Sequence, residues 1–197
     1  MLAPTRYAPP PHATIRVHPE RDARDEAAAF LAEGIVAHVA FVDDGRPVVI
    51  PMTYHADDVR RLYLHGGHHS RLMAHLASGA EVCVSVTLAD ALVFSRTAIN
   101  HSINYRSVVC FARASASQPD AAAQRELLHA MIARYHPGRT AGVDYAPISD
   151  AHLRGTAFVA LDVTAWSAKA RRGGPKGPHD ADPDAPGTAG VAPIASR

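Results

Sequence analysis

The chain is 197 residues long, with 20 lysines and arginines against 19 aspartates and glutamates and a formal net charge of +1. Lysine stands only at Lys169 and Lys176 and the arginines are dispersed, so the basic stripe a nucleic-acid binder needs is missing. No apolar run reaches the length of a membrane span, and the opening Met1–Pro11 stretch has no apolar signal core.

The chain then divides into three parts. Residues 1–19 read as a proline-rich arm and 20–172 as one folded domain. Residues 173–197 are Gly, Pro, Ala and Asp without periodicity, the composition of a disordered tail. Arg21 to Ala32 is rich in Ala, Glu and Arg and predicts a helix that ends near Gly34. Ile35 to Val42 predicts a strand, and Asp43-Asp44-Gly45-Arg46 a hairpin turn. The returning segment, Pro47 to Tyr54, carries two prolines in a strand pattern. Proline cannot donate to a ladder, so one side of this strand must lack a partner or be bulged. Backbone groups near Pro51, Met52, Thr53 and Tyr54 are thereby left to face something other than a strand.

A third strand ends at Leu64 and runs into His65-Gly66-Gly67-His68-His69-Ser70-Arg71, a glycine-hinged polar loop. Leu72, Met73, Leu76 and Ala77 follow at helical spacing, which puts Ser70 and Arg71 at a helix start. Free backbone N–H groups there, with a hydroxyl and a guanidinium, suit a phosphate; the plainer reading is a serine cap beside a solvated arginine. Glu81 to Phe94 and Tyr105 to Ser117 are β-branched runs that predict long strands. Cys83 and Cys110 lie inside them, where thiols act as small, reduced hydrophobes, and this points to a cytoplasmic setting. Ala121 to Tyr135 carries Leu127, Leu128, Met131 and Ile132 on a helical stripe, and Thr156 to Val163 predicts a last strand.

Six or seven strands in hairpin order with two or three helices make a mainly β chain with α+β decoration. Strands and helices do not alternate and no GxGxxG or Walker pattern occurs, so a small antiparallel barrel with peripheral helices is expected. Two further polar groups stand out. Asn100 to Ser107 enters a strand with amide, hydroxyl and guanidinium donors, suited to a turn or to the edge of a heteroaromatic ring. Trp166, the single tryptophan, precedes Lys169, Arg171 and Arg172, and reads as a core anchor or as a ring that stacks on a ligand.

The series Pro51-x-x-Tyr54, Leu62-Tyr63-Leu64-His65-Gly66, Ser70-Arg71 and His101-Ser102-Ile103-Asn104-Tyr105-Arg106-Ser107-Val108-Val109 resembles the pyridoxamine 5′-phosphate oxidase-like superfamily. The nearest branch is the flavin-nucleotide-binding one that includes nitroimidazole-resistance proteins. The Lys169-Ala170-Arg171-Arg172-Gly173-Gly174-Pro175 stretch resembles that branch's closing motif. The resemblance implies a six- to seven-stranded antiparallel split β-barrel, a homodimer, and FMN in a groove at each subunit interface. Pro51, Met52, Thr53 and Tyr54 would lie along the flavin ring, His65 and Gly66 beside it, and Ser70 and Arg71 at its phosphate. Asn104, Tyr105 and Arg106 would complete the site or the dimer contact, and Trp166 and Lys169 would reach the partner's cofactor.

On that resemblance the chain is expected to be an FMN-dependent oxidoreductase, a reductase or oxidase acting on an undetermined small molecule. His65 is a candidate proton donor or substrate-orienting group, and NAD(P)H a candidate electron donor that the sequence itself does not identify. The basic C-terminal set of the true pyridoxamine phosphate oxidases is missing, which argues against that reaction. Three alternatives stay open: a haem- or metal-binding protein using His65, His68 and His69, a non-catalytic flavin carrier or sensor, and use of the deazaflavin F420. No metal ligand set of the zinc type is present. No membrane or nucleic-acid partner is expected.

Overall fold

The structure, a computed structural model, describes residues 7–195. Its centre is one antiparallel sheet of eight strands. The chain runs through α1 (Ala27–Glu33), β1 (Ala37–Asp43), β2 (Arg46–Met52), β3 (Tyr54–Ala56), β4 (Arg61–Gly67) and α2 (Arg71–Ala77). It continues through β5 (Val82–Phe94), β6 (Ser102–Ala114), α3 (Ala121–Tyr135), α4 (Asp150–Gly155), β7 (Thr156–Arg171) and β8 (Gly190–Pro193). The main path of the sheet is β2-β1-β5-β6-β7-β4-β3. β2 and β3 stand at its two ends, yet Thr53 alone separates them in the chain. The sheet must therefore curl until its ends meet, which makes it the expected split barrel.

Alternation fills the barrel. Ala37, Val39 and Phe41 of β1, Leu62 and Leu64 of β4, and Val82, Val84 and Val86 of β5 all point inward and are buried. Ala27, Phe30 and Leu31 give α1 its buried face, at helical spacing. Gly34 then passes so close to the barrel that a Cβ there would fall 2.3 Å from Val86 Cγ1. β2 pairs only with β1, so the proline-bearing strand is an edge strand, as its prolines require.

Several boundaries differ from the sequence reading. The first helix begins at Ala27 rather than Arg21, after a 3₁₀ turn at Arg24–Glu26. β7 reaches Arg171 instead of ending at Val163, because its first half pairs with β4 while its second half continues along β6. α4 lies in a stretch read as loop; Ser149 caps it by accepting from the His152 N–H. The expected disordered tail is corrected over its described part, 173–195. β8 joins β5 at Ala91–Phe94, where β1 has left β5 without a partner on that side. Asp180 fixes the approach by accepting from Ser95 Oγ at 2.9 Å and from the Arg96 N–H at 2.8 Å. Composition alone carries no trace of this, because the docking is set by an edge elsewhere in the fold. No described helix is long and apolar enough to cross a membrane.

Candidate functional site

A cavity of about 790 Å³ opens between α3 and the β3–β4 side of the barrel. Ile35, Leu128, Met131 and Ile132 give it apolar walls, and Thr53 and His65 bring polar atoms to it. Its shape depends on the C-terminal turn of α3. The Arg134 guanidinium donates to the carbonyls of Tyr54 at 3.0 Å, Leu31 at 2.7 Å and Gly34, and lies over the rings of Tyr54 and Tyr135. Tyr135 accepts from the Tyr54 N–H at 3.1 Å and donates to the Tyr54 carbonyl at 2.5 Å. The main-chain groups of Tyr54 are thus taken up by α3. Its side chain is fully buried, with the phenol donating to Leu31 O at 2.6 Å and burial pushing its pKa up to about 12.

His65 lines this cavity with hydrogen-bonding capacity to spare. Its Nδ1 is buried without a hydrogen-bond partner, and its ring stacks beside Phe158. Burial pushes its pKa below the ordinary value, which favours the neutral imidazole. Gly66, next along β4, turns to the opposite face. A Cβ there would meet Met73 Cε at 3.2 Å, Met52 Cε at 3.8 Å and Ser70 Oγ at 3.9 Å, so the fold does gather Met52, Gly66 and Ser70.

Ser70 caps α2 by accepting from the Met73 N–H at 3.3 Å and keeps its own hydroxyl proton to donate. Arg71 lies 3.2 Å from Asp43 with its side chain 60% exposed. Such a pair holds an arginine loosely. Pro51 and Thr53 are exposed at the barrel's seam. The three histidines proposed as a joint ligand set do not converge: His65 faces the α3 cavity, while His68 lines a separate one with Met73, Leu76 and Phe158. Among the described residues no three His, Cys, Asp or Glu side chains gather as a metal site.

The remaining sequence candidates stand elsewhere. Asn104 is buried and holds the turn after β7, its side-chain oxygen accepting from Arg171 and its amide donating to Gly173 O at 3.1 Å. Tyr105 pairs with Arg171 in the β6–β7 ladder. Arg106 bridges Asp90 and Glu33 at 2.7 Å each. Through Glu33 it reaches the rim of the His65 cavity, and it holds that carboxyl below its ordinary range. Trp166 is covered by the N-terminal arm: Tyr7 stacks on it at 3.6 Å and 8°, and the Tyr7 hydroxyl accepts from the Trp166 N–H at 2.8 Å. Lys169 donates to Val17 O at 2.8 Å. The α3 residues Leu128, Met131, Ile132, Arg134 and Tyr135 are site components that sequence reasoning passed over as ordinary packing.

A barrel split by a one-residue seam, with an open cavity and a spare imidazole beside that seam, defines a split-barrel ligand-binding protein. The chain matches the pyridoxamine 5′-phosphate oxidase family over residues 23–170 and belongs to this family of flavin-binding split-barrel proteins. Among solved structures it resembles the flavocytochrome Anf3 from Azotobacter vinelandii, with 28% identity and a TM-score of 0.81, over 96% of this chain and 87% of that one. It is also similar to the FAD and heme binding protein from Mycobacterium smegmatis, with 32% identity and a TM-score of 0.74, over 88% and 82% of the two chains. A 5-nitroimidazole antibiotic resistance protein homologue from Bacteroides thetaiotaomicron shares the fold at 20% identity and a TM-score of 0.61, over 75% and 83%. No curated protein sequence matches the chain.

Proposed function

We propose that this protein is a flavin-dependent redox protein whose flavin nucleotide lies at the seam beside β4, with its ring edge against Thr53 and His65. The observation that carries the reading is the largely apolar cavity of about 790 Å³ lined by His65, a residue whose Nδ1 is buried without a hydrogen-bond partner. Its size suits a cofactor, and its mix of apolar wall and a few polar atoms suits a tricyclic ring with one polar edge. On the opposite face of β4, Met52, Met73 and the Ser70 hydroxyl gather around Gly66. There the Ser70 hydroxyl and the Arg71 guanidinium would hold the phosphate, with Arg71 turning away from Asp43. FMN is the nucleotide proposed, as the family resemblance implies; the two relatives at 28% and 32% identity support a flavin and, in one case, name FAD.

A bound flavin would supply hydride and electron transfer, while the protein supplies position and polarity. His65, its neutral form favoured by burial, would orient a small substrate or accept a hydrogen bond at Nδ1; Arg134 and Tyr135 would keep the cavity wall in place. The protein is proposed to act as a homodimer. Val42, Pro47 and Val49 leave an apolar outer face on the β1–β2 hairpin, which a second copy would cover. NAD(P)H as donor and a cytoplasmic setting belong to the same proposal.

A second reading is favoured by one observation. An imidazole with an unpartnered nitrogen beside an apolar cavity is also what a haem iron requires. The Mycobacterium smegmatis relative is named as a FAD and heme binding protein and the Azotobacter vinelandii one as a flavocytochrome. In this reading His65 is the iron ligand. An absorption spectrum of the purified protein, before and after addition of FMN, FAD or hemin and removal of the excess, tests both. Retained flavin bands support the first reading and a Soret band abolished by His65→Ala supports the second. A chain that keeps neither chromophore refutes them.

A further inference from the structure

A second cavity, of about 260 Å³, is lined by Glu20, Arg21, Ala170, Arg171, Arg172 and Lys176. It shares no lining residue with the His65 cavity. The two lie at opposite ends of α1: Arg172 pairs at 2.7 Å with Glu26, the residue that precedes the helix, while Glu33 at its end lines the other cavity. Four of the six lining side chains are cations and one is a carboxylate. Arg172 is neutralised by Glu26, and Arg21 stands 3.7 Å from Glu20.

Arg171 is different. The residue is 8% exposed, and its guanidinium donates only to neutral acceptors: the Asn104 side-chain oxygen, Gly173 O at 3.2 Å and Gly174 O at 3.3 Å. Among the described residues no carboxylate pairs with it or with Lys176. A lysine could lose its proton in such a place, but a guanidinium cannot, so its charge stays buried beside two further cations. Burying a charge without a counter-charge is unfavourable, and an incoming anion relieves it.

We infer that this pocket binds a phosphate-type anion, with Arg171 as its buried charge and Arg21 and Lys176 as the groups that close on it. A single carboxylate would leave positive charge in excess, whereas a phosphate or diphosphate group matches both the charge and the forked donors. The cavity is too small for a whole flavin, but it accommodates the phosphate end of an elongated nucleotide or a small phosphate ester.

The test is isothermal titration of inorganic pyrophosphate into the full-length chain at fixed ionic strength, with the exposed Lys176 and the half-buried Arg21 changed as Lys176→Ala and Arg21→Ala. Saturable binding is expected in the unaltered chain and about 10-fold weaker binding in each variant, the scale of one charge-assisted hydrogen bond. No saturable heat, or unchanged affinity in both variants, overturns the inference. The same titration on flavin-loaded protein distinguishes the source: release of flavin fluorescence identifies the nucleotide's own phosphates, and binding with flavin retained identifies a free phosphate ester. Pyrophosphate binding by a chain that holds no flavin would refute the flavin reading and leave this one standing.

Discussion

Arg134→Met removes the guanidinium that ties α3 to the seam while keeping most of the side-chain volume. Three carbonyls lose a donor, but not equally. Leu31 O keeps the Tyr54 hydroxyl at 2.6 Å, and Tyr54 O keeps the Tyr135 hydroxyl at 2.5 Å. Gly34 O alone is left without the side-chain donor that served it. One unsatisfied acceptor costs about 1–3 kcal/mol, and the lost contacts with the Tyr54 and Tyr135 rings add about 0.5–1 kcal/mol. The expected destabilisation is therefore about 2–3 kcal/mol, which in a chain of this size lowers Tm by roughly 5–10 °C. Urea unfolding followed by circular dichroism measures it, with the slope against denaturant unchanged. A loss below about 0.5 kcal/mol, the range of an ordinary surface change, would refute the view that Arg134 holds the cavity wall.

Gly34→Ala should destabilise the fold by about 1–3 kcal/mol through overpacking, since the added Cβ would lie 2.3 Å from Val86 Cγ1 and 2.9 Å from Tyr54 Oη. Its φ of −63° is ordinary, so the loss is steric, and a thermal melt equal to that of the parent would contradict it. Acid sensitivity follows from Glu33, whose carboxyl the Arg106 hydrogen bond holds below its ordinary range. A depressed carboxyl stabilises the fold above its unfolded pKa and loses that contribution as pH falls through its folded value. Glu33→Gln should thus flatten the decline in Tm between about pH 5 and pH 3; an unaltered slope would assign the acid limb to other groups.

The alternating runs of β1, β4, β5 and β6 made most of the barrel legible, because a period of two survives any tertiary context that buries one face. The prolines of β2 announced an edge strand for an equally local reason. His65, Gly66 and Ser70 stood out through loop composition, and the fold does bring Gly66 and Ser70 together. What could not be read was pairing at long range. The α3 wall depends on Arg134 reaching Leu31, more than a hundred residues earlier, and β8 has room to pair because β1 pairs with β5 only from Cys83 to Val86. Neither Tyr7 on Trp166 nor the separation of His65 from His68 has any local signal, since each is set by which strand faces outward.

The position of β7 also governs when the barrel can exist. β4 pairs locally with β3 but finds its second partner, β7, only across roughly a hundred residues, from Arg61 to Asp162, while β3 pairs with nothing but β4. As the polypeptide leaves the ribosome, β1, β2, β5 and β6 can assemble in order, but Leu62 and Leu64 stay wet until Thr156–Arg171 has been synthesised. Closure is a late event with high contact order, and every nascent chain passes through a state in which one edge of the apolar strand β4 has no partner. Chains arrested before that strand emerges are therefore substrates for chaperones and proteases, not smaller versions of the same barrel.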